Sequence, residues 1–155
     1  MRLSEKEFSE LIRNHPELQK IEIQKNPKFR NKKIWIYNGK PYEEKIPNKK
    51  AEMVFDSKKE YSRYISLKNL EEKGIIKNLE RQKKIEILPD FVYREEKIRG
   101  IYYKADFSYI YNGITVIEDI KPFDTKSKKY ITTKDFSLKW KMLKNKYPDY
   151  IFVLV

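Results

Sequence analysis

Apolar residues change their spacing several times along this 155-residue chain, and each change marks an element. Phe8, Leu11 and Ile12 form one stripe behind Ser4-Glu-Lys-Glu7, a capping-box pattern, so the spacing predicts a short helix ended by His15-Pro16. A polar, basic stretch over 24–33 reads as a linker or exposed arm. Ile34-Trp-Ile-Tyr37, Asn38-Gly39 and Pro41-Tyr42 then spell a small hairpin. Residues 1–50 are read as an N-terminal extension and 51–155 as the core. From Asp56-Ser57 to about Lys73, Tyr61, Tyr64, Ile65 and Leu67 recur at helical spacing, and Gly74 stops the helix. Residues 75–88 read as a strand, with Ile85 and Ile87 alternating.

Asn112-Gly113 predicts a second hairpin, because a type I′ turn needs positive φ at both central residues. The chain then crosses a lysine-rich loop over 122–132 into a helix over 133–147, whose Phe136, Trp140, Leu143 and Tyr147 share one face. Pro148 ends it, and the unbroken apolar run Tyr150-Ile-Phe-Val-Leu-Val155 reads as a buried strand. Beyond residue 50 the predicted order is α-β-β-β-α-β.

The second hairpin carries the candidate chemistry. A two-residue loop sets Tyr111 opposite Ile114; counting back, Asp106 faces Asp119 and Lys104 faces Lys121. Opposed like charges destabilise a sheet, and a divalent cation held by both carboxylates would resolve the clash. Alternation puts Lys121 on the face of Asp119 and sends Glu118 and Ile120 the other way. Two carboxylates and a lysine suit Mg²⁺-dependent phosphodiester cleavage: the ion neutralises the phosphate and acidifies a water, and the ammonium stabilises developing charge. The plain alternative is a solvated hairpin. Glu60 is a third acid, yet Ser57-Lys-Lys-Glu60 is itself a capping box, and on spacing alone capping is the preferred reading. Gln82 is an accessory candidate in a polar strand.

Composition narrows the partners. Net charge is +12 with a pI near 9.6, which points to a polyanion, most simply nucleic acid. Lys134, Lys139, Lys141 and Lys144 of the last helix and Lys126, Lys128 and Lys129 of the loop before it could grip phosphates. With no cysteine there is no disulfide, thiolate nucleophile or cysteine-bound zinc, which suits a reducing cytoplasm. The single His15 cannot make a triad or zinc site alone. The start is too charged for a signal peptide, and no apolar run approaches membrane-spanning length.

Several segments together resemble the PD-(D/E)XK nuclease superfamily, in particular small phage-encoded members. They are Val54-Phe-Asp-Ser-Lys-Lys-Glu60, Arg63-Tyr64, Gly74-Ile-Ile-Lys-Asn-Leu-Glu-Arg-Gln82, Lys104-Ala-Asp-Phe107, Val116-Ile-Glu-Asp-Ile-Lys121, and Phe136-Ser-Leu-Lys139 with Lys141. The resemblance runs from Met53 to Val155 and implies a restriction-endonuclease-like αβββαβ core with a mixed sheet flanked by helices. It further implies that Asp106 and Asp119 ligate Mg²⁺ (or Mn²⁺), that Lys121 is the catalytic lysine, and that Glu60 completes the site, which reverses the capping preference. Gln82 and Lys139 match recurrent family positions. Two departures stand out: Pro122 follows the lysine where glycine is usual, and the 122–132 loop is longer.

The combined expectation is a cytoplasmic, Mg²⁺-dependent DNA endonuclease, phage-encoded and acting in replication or recombination, with branched DNA among its substrates. Lys59, Arg63, Lys104, Lys134 and Lys139 are the expected DNA contacts, and a homodimer would supply the two sites that cutting both strands calls for. The alternative is a non-catalytic DNA-binding protein that kept the fold. An RNA- or ribosome-binding protein rests on charge alone.

Overall fold

The structure, a computed structural model, describes residues 32–155. The helix predicted over residues 4–12, His15 and most of the 24–33 arm lie outside them. The chain divides into two compact units, one ending at Asn69 and the next starting at Leu70.

In the first unit, β1 (Ile34–Tyr37), β2 (Lys40–Tyr42) and β3 (Met53–Phe55) form an antiparallel sheet in the order β2-β1-β3. The hairpin is the one its residues predict: Asn38 and Gly39 take φ of +50° and +71°, both left-handed as a type I′ turn requires. Alternation buries Ile34 and Ile36 beside Phe55. Helix α1 (Lys58–Glu72) adds Tyr61 and Tyr64, whose rings each lie 5.2 Å from that of Phe55. Strand β3 was not foreseen, since three residues are too few to show a period.

The second unit begins with the last turn of α1. Gly74, at φ +72°, closes the helix as expected, and the Ile75 N–H donates to the Leu70 carbonyl at 2.9 Å. There follow β4 (Ile76–Leu88), β5 (Phe91–Tyr93), β6 (Glu96–Ile98), β7 (Ile101–Tyr111), β8 (Ile114–Asp119), β9 (Phe123–Asp124), β10 (Lys129–Tyr130), helix α2 (Lys134–Lys146) and β11 (Ile151–Leu154). The main sheet has the order β11-β8-β7-β4, with β11 parallel to β8 and the other neighbours antiparallel. The predicted succession of long elements is therefore present. The short β5–β6 and β9–β10 pairs escaped prediction; each strand is only two or three residues long.

Helix α2 is fixed at both ends by its sequence. Thr133 caps it, its hydroxyl accepting the Phe136 N–H at 3.1 Å, and Lys144 and Lys146 sit in the last turn, where the helix dipole favours cations. Its Phe136, Trp140 and Leu143 pack on Ile85, Ile87, Ala105, Ile117 and Phe152 of the sheet. Full burial of a leucine or phenylalanine contributes roughly 1.5–3 kcal/mol, so this face anchors the helix. One expectation needs correcting. The apolar run 150–155 forms the edge strand β11, where Phe152 is buried and Ile151, Val153 and Leu154 are half-exposed, because the sheet flanks it on one side only. Among the described residues no helix is long and apolar enough to cross a membrane.

Candidate active site at the end of the central hairpin

The hairpin turn is built as predicted, with Asn112 at φ +48° and Gly113 at φ +79°. The register follows from it: Tyr111 pairs with Ile114, Tyr109 with Val116 and Phe107 with Glu118. The ladder then stops, one step short of the expected Asp106–Asp119 pair. Continued regularly, the Ile120 N–H would donate to the Ala105 carbonyl. It donates instead to Oδ2 of Asp106, at 2.7 Å.

A break in strand alternation explains why Asp106 can reach there. Gln82 of β4 would face Asp106 of β7, but the pairing skips from Arg81–Phe107 to Lys83–Ala105, and Gln82 has a left-handed φ of +51°. Side chains three apart on a regular strand point to opposite faces. Here Lys83 donates to both carboxylate oxygens of Glu80, at 2.6 and 2.7 Å, so the two share a face. In β7 alternation is broken as well, for Ala105 joins Ile117 in one core, although regular pairing would put them on opposite faces. Such irregularities re-aim side chains, and Asp106 sits at this one.

Asp119 ends β8 almost wholly buried, at 2% exposure. Its Oδ1 accepts the Tyr103 hydroxyl at 2.6 Å, and its Oδ2 meets the Lys121 ammonium. Lys121 also lies over the Phe136 ring, 4.4 Å from the centroid, a cation–π contact. Tyr103 packs edge-on against Phe136 and Trp140, at 6.0 and 5.7 Å. Burial, its bond to Asp119 and the charges of Asp119 and Asp106 push the Tyr103 phenol well above the usual tyrosine range, so it remains a donor at neutral pH. Alternation sends Glu118 the other way, where it is fully buried and accepts the Tyr109 hydroxyl at 3.0 Å.

Asp106 and Asp119 thus reach the same strand end, each bonded to the other strand of the hairpin. Their oxygens are the hard donors that Mg²⁺ takes, and Mg²⁺ commonly uses one or two carboxylates with water and substrate phosphate. The two partners of Asp119 use two of about four lone-pair directions on its carboxylate. The donor set therefore fits the ion as a pair. Among the described residues no group of three or more histidine, cysteine or acidic side chains could hold a metal.

The other expected site residues divide between the two units. Glu60 is buried at the start of α1 in the first unit; its N–H donates to the Ser57 hydroxyl at 3.0 Å and its Oε2 accepts the Asp56 N–H at 2.8 Å. That is the capping arrangement its spacing suggested. Lys59 is half-buried on the same helix, and Arg63 is buried, with 5% of its surface exposed. In the second unit Lys134 is exposed at the first position of α2. Lys104, Lys121 and Lys139 line one cavity of about 460 Å³, and Lys139 pairs with Asp135 at 3.1 Å. Tyr103 and Phe136 were missed as site residues. Both looked like ordinary core aromatics, and only the broken alternation sets the Tyr103 hydroxyl on Asp119.

A mixed four-stranded sheet with this strand order and its packed helix is broadly a restriction-endonuclease-like αβ core. Residues 44–151 match the model of the family described as "Protein of unknown function (DUF1064)". The chain belongs to that family, a small phage-associated domain grouped with the PD-(D/E)XK-like nucleases. No curated protein and no solved structure matches it.

Proposed function

We propose that this protein is a Mg²⁺-dependent DNA endonuclease, with Mn²⁺ able to substitute. The observation that carries the reading is the buried Asp119, joined to Lys121 and Tyr103, beside the place where Asp106 leaves its strand to reach Ile120. Asp106 and Asp119 would hold the ion. Glu60 is the acid that the family resemblance adds, and its role is proposed on residue type alone. When bound, Mg²⁺ supplies charge neutralisation at the phosphate and a more acidic water. Lys121, steadied by Asp119 and the face of Phe136, places a positive charge where negative charge builds on the phosphate. Tyr103 holds the Asp119 carboxylate in one orientation. The net charge of +12 draws the polyanion in without regard to its sequence. In-line attack by water would leave a 5′-phosphate and a 3′-hydroxyl. The proposed setting is phage replication or recombination in the host cytoplasm, with branched DNA among the substrates and a homodimer where both strands are cut.

The second reading is a DNA-binding protein that keeps the fold without cleavage. It is favoured by the absence of a three-acid group among the described residues and by the direct pairing of Lys121 with Asp119. Incubation with plasmid, linear and four-way-junction DNA, in Mg²⁺ or EDTA, separates the two. Hydrolysis should require the ion and fall at least about 100-fold in Asp119→Asn. Cleavage that survives EDTA or the substitution contradicts the mechanism, and binding without cleavage favours the second reading.

A further inference from the structure

We infer that the cavity beside Lys121 takes one unpaired nucleotide, so that the preferred DNA carries an unpaired nucleotide next to the bond to be cut. This rests on the hydrolytic reading only for the position of the cut; the binding inference stands on the cavity itself. Its volume of about 460 Å³ falls within the range of small-molecule sites. It exists because β7 and β8 part company: the ladder covers residues 107–111 of β7, and residues 101–105 are paired with β4 alone among the described strands. Tyr102, Tyr103 and Lys104 therefore line the cavity from a strand with one open edge, whose backbone groups can pair with the polar edge of a base.

The facing wall comes from the long 122–132 loop, which is built rather than slack. Strands β9 and β10 pair within it, Phe123 packs edge-on against Tyr130 at 5.1 Å, and the Ile131 N–H donates to the Pro122 carbonyl at 2.7 Å. This holds Ile131, 48% exposed, at the cavity. The faces of Phe136 are engaged by Lys121 and by Trp140, stacked at 5.1 Å, and Lys84 lies over the Tyr102 ring, 3.9 Å from its centroid, which leaves Ile131 as the exposed apolar surface for a base. Lys139 pairs with the one lining acid, Asp135, and Lys121 with the buried Asp119, so Lys104 carries the surplus positive charge that matches a phosphorylated ligand. A base stacked and paired in a duplex cannot enter such a recess without being extruded, and extrusion costs least where the base is already unpaired.

The test uses the full-length protein in EDTA with a fluorescent adenine analogue, 2-aminopurine, either in a one-nucleotide overhang or paired in a duplex. The unpaired probe should bind about tenfold more tightly and change its emission. Ile131→Glu, which brings a negative charge to the wall, and Thr132→Trp, which fills the recess, should both remove the preference while circular dichroism stays unchanged. Equal binding of the two probes, or a preference that both variants keep, overturns the inference whatever the cleavage assay finds. A preference that both variants lose, in a protein that cleaves nothing in Mg²⁺, upholds the cavity and sinks the nuclease reading alone.

Discussion

The two halves of β7 belong to one strand and do opposite things. Residues 107–111 are all paired with β8, and 107, 108, 110 and 111 with β4 as well; Phe107, Tyr109 and Tyr111 are buried, so that half is held by packing. Residues 101–105 are paired with β4 alone, and from here to Asp106 the side chains reach sideways: Tyr103 to Asp119, Asp106 to Ile120. The change falls at the Gln82–Asp106 irregularity. A strand that alternates regularly can bury a face but cannot bring neighbouring positions of both faces to one point. Regular pairing would put Tyr103 and Asp119 on opposite faces, and the interrupted ladder lets them meet.

This contrast can be broken at three places. The largest effect is expected in the packed half, where Phe107→Ala should cost about 3–5 kcal/mol of stability in denaturant unfolding. The matching truncation at the partly exposed Tyr102 should cost much less. Next comes the irregularity itself. Placing a β-branched residue at the left-handed φ of Gln82 should cost on the order of 1–2 kcal/mol, so Gln82→Val should destabilise, while Gln82→Gly should be neutral or stabilising. Equal effects of the two would remove the backbone reason for the break. An effect of similar size, about 1.5 kcal/mol, is expected from Tyr103→Phe, which loses one bond to a charged acceptor at a partly exposed residue.

That last variant also has a pH signature. The Tyr103 phenol is raised above the ordinary tyrosine value of about 10, so the folded state holds its proton more tightly than the unfolded state does. Its contribution is complete below pH about 10 and is lost as pH rises towards the folded value. The stability gap between wild type and Tyr103→Phe should therefore be constant through neutral pH and narrow above about 10. A gap that stays constant as pH rises above about 10 would contradict the assignment.

Much of this was legible in the residues. Both Asn-Gly turns set their hairpins, Gly74 closes α1, and the stripe of Phe136, Trp140 and Leu143 lays α2 on the sheet as its spacing required. The order of long elements and the clustering of Asp106, Asp119 and Lys121 at one strand end followed from those local rules. What was not legible depends on contacts between strands. Direct opposition of Asp106 and Asp119 assumed regular alternation, and nothing at Gln82 signals a left-handed backbone, because glutamine has no preference for it. The role of Tyr103 depends on that same break. The lysine-rich loop looked like solvated chain, yet β9 and β10 fold it into a wall.

The most direct measurement of the central claim is Mn²⁺ binding, followed by electron paramagnetic resonance, to the protein–DNA complex in a Lys121→Met background that leaves the DNA uncut. The account predicts bound Mn²⁺ in that protein and its loss when Asp106→Asn and Asp119→Asn are added together. Undiminished Mn²⁺ uptake in the triple variant would show that these two carboxylates do not hold the ion.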